Sequence, residues 1–298
     1  MSSQMCTRQA RHAGSWYVSS GKELKNQLED WLNDAGEPSH SPARAIIAPH
    51  AGYRYSGACA AYAYKQVDPT QIKRVFILGP SHHAHINGCA LSPAQLYRTP
   101  LGDLQLDQSI YKELESTQQF DKVSLTADEK EHSIEMHLPY IAKVMENCDF
   151  AIVPVMVGSL STKQESAYGE IFSKYLADPC NLFVISSDFC HWGSSFGYQF
   201  YDETWGQIHQ SIKKLDKMGM DIIEEMSPTA FAAYLKKYKN TICGRRPIII
   251  LLNAVSLLKQ DKSGSKPALK FLKYAQSEKC LKKSDTSVSY AAASLVFT

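Results

Sequence analysis

Short runs of Val, Ile, Leu and Phe alternate along the chain with longer stretches in which apolar residues recur every three or four positions. This is the pattern of strands interleaved with helices. Strands are predicted over 44–48, 74–78, 151–157, 182–186, 269–275 and 288–296. The early runs are apolar on both faces, as expected of central strands covered by helices on each side. Helices are predicted over 22–33, 56–65, 108–115, 135–146, 164–176, 203–218 and 228–238. Another is predicted over 248–259, behind Pro247, which suits a first helical position. In the first helix Leu24, Leu28, Trp31 and Leu32 form one stripe. The segment 260–267, with Lys, Ser, Gly and Pro, is the clearest exposed loop. No linker or repeat divides the chain, so residues 1–298 are read as a single α/β domain, with a central, largely parallel sheet flanked by helices.

Composition narrows the function. The net charge of +2 gives no broad attraction for nucleic acid or anionic lipid, and neither partner is expected. The longest apolar stretch, 248–258, is broken by Asn253 and Ser256 and is too short for membrane insertion. The first residues lack the basic and apolar regions of a secretory signal, so the expected compartment is the cytoplasm, with the nucleus also open. The eight cysteines are widely spaced and include no CxxC pair, which favours free thiols over a disulfide framework or zinc finger.

The candidate chemistry lies just beyond the strands. The run 44–48 leads into Pro49-His50-Ala51-Gly52, 74–78 into Gly79-Pro80-Ser81-His82-His83, and 182–186 into Ser187-Asp188-Phe189-Cys190-His191. In open α/β sheets ligands bind beyond the carboxyl ends of the strands, so His50, His82 and His191 are expected at one edge. Asp188 is either a ligand or an orienter of His191. His83 and His85 are read as surface or outlying residues.

A second concentration of ionisable groups spans 128–137. It is either a solvated acidic loop capping the next helix or a source of proton transfer through His132, with Glu131. His132 and His137 are five apart and share no helix face, which excludes an HExxH zinc-protease site. Cys243 stands in a polar turn beside Arg245 and Arg246, which leaves open a buried filler, a reactive thiol or a thiolate ligand. There is no GxGxxG or Walker A motif.

Longer motifs carry a resemblance. His12-Ala13-Gly14-Ser15-Trp16-Tyr17, AIIAPHAGY at 45–53, FILGPSHH at 76–83, EHSIEMHLPY at 131–140, SSDFCHWG at 186–193, NTICGR at 240–245 and SVSYAA at 287–292 resemble the Memo family, mediators of cell motility downstream of receptor tyrosine kinases. The resemblance implies a fold similar to the class III non-haem iron extradiol dioxygenases. It places His50, His82 and Cys243 at metal-ligand positions and His191 at the acid/base position, next to Asp188. Those dioxygenases use a carboxylate where this chain has Cys243. A sulfur ligand favours copper(I) and argues against ring cleavage.

Two functions follow as expectations. One is a redox-metal protein with an iron or copper ion held by His50, His82 and Cys243, a proton moved by His191, and Asp188 or His132 orienting it. It would act in receptor tyrosine kinase signalling to motility and the cytoskeleton, or in oxidant and metal homeostasis. The other is a non-enzymatic adaptor whose vestigial pocket takes a phosphotyrosine-containing receptor tail.

Overall fold

The computed structural model describes residues 5–260 and 266–298. In chain order its strands are β1 (Thr7–Arg8), β2 (Ala45–Ala48), β3 (Arg74–Pro80), β4 (Cys89–Leu91), β5 (Leu96–Tyr97) and β6 (Leu104–Gln105). There follow β7 (Phe120–Lys122), β8 (Ala151–Val157), β9 (Asn181–Ser186), β10 (His191–Trp192), β11 (Pro267–Gln276) and β12 (Ser287–Phe297). The first six helices are α1 (Gly21–Asp34), α2 (Tyr53–Tyr64), α3 (Gln108–Ser116), α4 (Leu125–Lys130), α5 (His132–Glu135) and α6 (Leu138–Val144). The last four are α7 (Thr162–Ala177), α8 (Ile208–Glu224), α9 (Pro228–Tyr238) and α10 (Arg245–Gln260).

The four early apolar runs form the centre of a nine-stranded sheet ordered β10-β12-β2-β9-β3-β8-β4-β7, with β11 beside β12. Strands β2, β9, β3 and β8 are parallel, while β12 joins β2 and β4 joins β8 antiparallel. The parallel order expected from the sequence therefore holds for the core, and the whole sheet is mixed. Nearly every residue of the four central strands is buried, so both faces are covered. Helix α2 packs on β2, β11 and β12 and carries α1 and α6, whereas α10 packs on β3, β9 and α7. A second sheet, β1-β5-β6, is small.

Several helix starts differ from expectation for identifiable reasons. The helix predicted over 135–146 begins at Leu138, because Pro139 sits in its first turn and the preceding residues form the separate short helices α4 and α5. The helix predicted from 203 begins at Ile208: a 3-10 turn at Glu203–Trp205 ends at Gly206, whose φ of 96° breaks the helix. Helix α2 starts at Tyr53, three residues early, and Pro247 lies just inside α10. The loop predicted over 260–267 falls largely on 261–265, which lie outside the described residues.

Charge fixes the N-terminal segment to the interior. Fully buried Arg8 places Nη1 2.7 Å from Glu135 Oε2 and Nε 3.5 Å from Asp128 Oδ1. It also donates to the main-chain oxygens of Asp128 and Glu131, at 3.0 and 2.8 Å. Glu135 further accepts from the His12 backbone N–H at 2.8 Å and the Tyr17 hydroxyl at 3.0 Å. Asp128 takes the hydroxyls of Ser92 and Tyr97. The acidic run 128–137 is therefore no solvated loop. Asp128, Glu131 and Glu135 are buried; partners outweigh desolvation at Glu131 and Glu135 and offset part of it at Asp128. Removing the cation leaves buried carboxylates unpaired, so Arg8→Ala is expected to lower stability by about 3–5 kcal/mol. Urea unfolding measures this, and an unchanged midpoint would mean that water replaces the guanidinium.

Candidate functional site

Three neighbouring parallel strands deliver the site. The register pairs Ala48 of β2 with Ser186 of β9, and Ile185 of β9 with Leu78 of β3. The chain leaves these strands at similar heights, so His50, Asp188 and His82 emerge along one edge. Cys243 arrives from the turn before α10. Gly244 makes that approach possible, since a Cβ there would collide with the Ser186 carbonyl and the Ser187 side chain.

Hydrogen bonds settle which imidazole nitrogens are free. His50 Nδ1 lies 2.6 Å from Ser186 Oγ, and the Ser186 hydroxyl gives its one proton to the Ser133 carbonyl at 2.6 Å. Ser186 must then accept from His50, which puts the proton on Nδ1 and leaves Nε2 with a lone pair. His82 Nδ1 faces Glu131 Oε1 at 2.8 Å, and its backbone N–H donates to Glu131 Oε2 at 2.6 Å, so its Nε2 is also free. A carboxylate or hydroxyl behind an imidazole is the usual support of a metal-binding histidine. One donor atom from each of His50, His82 and His132 lies within 4.8 Å of the others. Cys243 falls outside that group but sets Sγ 3.2 Å from His50 Nε2. This donor set suits a metal ion, and the buried, unpartnered Nδ1 of His132 agrees with that fit.

His191 is held differently. Its Nδ1 lies 2.9 Å from the Phe189 carbonyl and 3.1 Å from that of Thr241, and its backbone N–H donates to Thr241 Oγ1 at 2.7 Å. Asp188 does not orient it through a hydrogen bond. Asp188 Oδ1 instead accepts the backbone N–H of His50 at 2.8 Å, with Oδ2 4.0 Å from His50 Nε2.

Burial favours the neutral form of His50, His132 and His137 and of the Cys243 thiol. Burial, reinforced by the charges of His82 and the other nearby histidines, drives His50 well below its ordinary value. Burial and then His82 bring His132 down to about 3. Burial alone takes the interior His137 to about 3. For Glu131 burial works the other way, but hydrogen bonds and charge from His82, with the Ser133 N–H, outweigh it and pull the carboxyl down to about 2. Burial raises Asp188, with His191 and the backbone N–H groups of His50 and Ala51 opposing. Burial and then Asp188 also raise the Cys243 thiol. The expected help from Arg245 and Arg246 is too weak to reverse this. Arg245 ranks below burial, Asp188 and the backbone N–H groups of Asp188 and Gly244, and Arg246 pairs with Glu165.

The structure thus brings His50, His82, His132 and Cys243 together, with Asp188 behind His50 and His191 at the flank. His83 and His85 line an adjoining cavity of about 390 Å³ with His82, Cys243, Arg245 and Arg246. Sequence reasoning missed Ser186 as the partner of His50, because serine at a strand end carries no periodic signal. It also missed Trp16, whose ring lies 4.5 Å from that of His132. Its place in the HAGSWY motif was the available clue.

Fold and site define an α/β protein with a histidine-lined pocket at the carboxyl edge of a parallel core. Its sequence matches the family model described as Memo-like protein over residues 8–294. It is similar to Protein MEMO1 of Danio rerio, 61% identical over 298 residues and 99% of each chain, and to Protein MEMO1 of Homo sapiens, 58% identical over 297 residues and 99% of each. The protein memo-1 homolog of Caenorhabditis elegans is 51% identical over 286 residues, spanning 96% of this chain and 81% of that protein. The chain belongs to the Memo family.

The buried histidines make stability depend on pH. His132 and His137 titrate at about 3 when folded, against an ordinary 6.5. Below pH 6.5 the unfolded chain therefore takes up protons first. Their contribution is fully present above 6.5 and is lost as pH falls toward 3, by on the order of 1 kcal/mol per pH unit for each. Glu131 adds to the loss between its ordinary 4.5 and about 2. Urea midpoints of metal-free protein should fall between about pH 7 and about pH 5; a flat profile would contradict the neutral, buried imidazoles.

Proposed function

We propose that this Memo-family protein binds iron or copper through His50, His82 and Cys243, and that it acts in receptor tyrosine kinase signalling to cell motility, the cytoskeleton and oxidant or metal homeostasis. One observation carries the metal reading: both histidines commit Nδ1 to a fixed acceptor and keep Nε2 available, with a thiol 3.2 Å from His50 Nε2. A bound iron or copper would bring redox and Lewis-acid chemistry to the pocket. Cys243 must lose its proton to serve as a ligand, so binding releases protons and weakens in acid. His191, with Nδ1 turned to two carbonyls, offers Nε2 as the atom that takes or gives a proton. A similarity to the class III extradiol dioxygenase fold belongs to the same reading, with Cys243 in place of their carboxylate. Metal content after anaerobic purification tests it. Wild type is expected near stoichiometric iron or copper, and His50→Ala and Cys243→Ala are expected to lose it. Wild type that is empty and refuses added metal would end this reading.

A second reading has its own support. The sequence offers no arginine cluster, yet the cavity of about 390 Å³ gathers Arg245 and Arg246 with His82, His83 and His85. Such a lining suits a phosphotyrosine-containing receptor tail, with Arg245 as the charge-assisted donor. On titration the phosphorylated peptide is expected to bind at least about tenfold more tightly than its unphosphorylated form, and Arg245→Ala to remove most of the difference. Equal binding of the two peptides would end it.

A further inference from the structure

We infer that His132 donates a third imidazole to a divalent cation held by His50 and His82. The inference rests on the metal-binding reading above and adds a ligand beyond the set His50, His82 and Cys243. Three features converge on His132. Its donor atom lies within 4.8 Å of those of both His50 and His82, whereas Cys243 does not complete such a group. Its Nδ1 is buried and has no hydrogen-bond partner, lying 3.6 Å from Glu131 Oε1. A buried imidazole nitrogen left unpaired shows that the protein alone does not satisfy this ring. The ring is also fixed on two sides: it stacks on His82 with centroids 4.5 Å apart and planes at 16°, and Trp16 lies 4.5 Å away.

Chain geometry explains why His132 can do this. It is the first residue of α5, and Glu131, just before it, caps that helix by accepting the Ser133 N–H at 2.9 Å. The same carboxylate holds His82 Nδ1. One side chain therefore sets both the direction of His82 and the start of the helix that presents His132. An ion about 2.1 Å from each nitrogen requires any two to lie within about 4.2 Å. Closing the group by less than about 1 Å meets that limit. Three imidazoles suit divalent iron, cobalt, copper or zinc, whereas the neighbouring thiol suits copper(I). His132 thus extends the pocket to divalent cations.

Cobalt(II), titrated into the metal-free full chain under anaerobic conditions, is the probe. Wild type is expected to give visible d–d absorption bands. His132→Ala is expected to weaken binding by about 10- to 100-fold and to change those bands, while His50→Ala loses the site. Added free imidazole is expected to restore both affinity and spectrum in His132→Ala, which a merely structural role of His132 would not allow. Thermal unfolding of metal-free His132→Ala monitors the fold. If His132→Ala keeps wild-type affinity and spectrum while His50→Ala loses cobalt, His132 is no ligand and the pocket still stands. If imidazole restores nothing and the metal-free variant unfolds at lower temperature, the role is structural and the inference falls. If His50→Ala also retains cobalt, the metal reading itself fails and His132 falls with it.

Discussion

A buried guanidinium organises this protein. Arg8 reaches the interior from a two-residue edge strand and meets two carboxylates and two main-chain carbonyls of the segment 128–135. An ion cluster so far from water is retained only where geometry satisfies nearly every partner, and here Glu135 and Asp128 each have several. The cluster shapes the pocket because Glu131 and His132 belong to the segment it anchors. With Arg8, His12, Tyr17 and Trp16, the N-terminal segment forms part of the pocket wall and its support.

Much of this architecture was legible in the sequence. The strand over 151–157 and the helix over 228–238 match residue for residue, because their apolar patterns are long and α9 has Pro228 at its start. The closeness of His50 and His82 followed from strand ends, whereas His191, read with them, stands at the flank and His132 takes the third place in the group. What escaped were elements of two or three residues such as β4, β7 and β10, which are too short to show a period. The run 128–137 stayed open between a solvated loop and a proton-transfer role for another reason. Its carboxylates can be placed only once a distant arginine stands among them, and no local pattern announces a partner some 120 positions away. Cys243 was legible as a candidate, but its protonation was not, since burial outweighs the arginines that follow it in sequence.

The pocket depends on proton bookkeeping at atoms that do not face it. Ser186 spends its only proton on Ser133, so His50 has a single available tautomer. Glu131 plays the same part for His82 through a charged acceptor held in the ionised state by that contact. The two imidazoles are thus aimed by unlike partners, one neutral and one charged.

Strand β12 sits between β10 and β2, yet it is the last strand of the chain. Strand β10, which begins at His191, pairs with β12, and the Phe189 N–H bonds to Ser289 of the same strand. During synthesis the parallel strands β2, β9, β3 and β8 can associate early, but the flank carrying His191 has no sheet partner until residues 287–297 leave the ribosome. The nascent chain therefore holds an unfinished pocket with an open edge at β2 until β12 emerges, and truncations that remove β12 are expected to yield an aggregation-prone remnant rather than a smaller version of the protein.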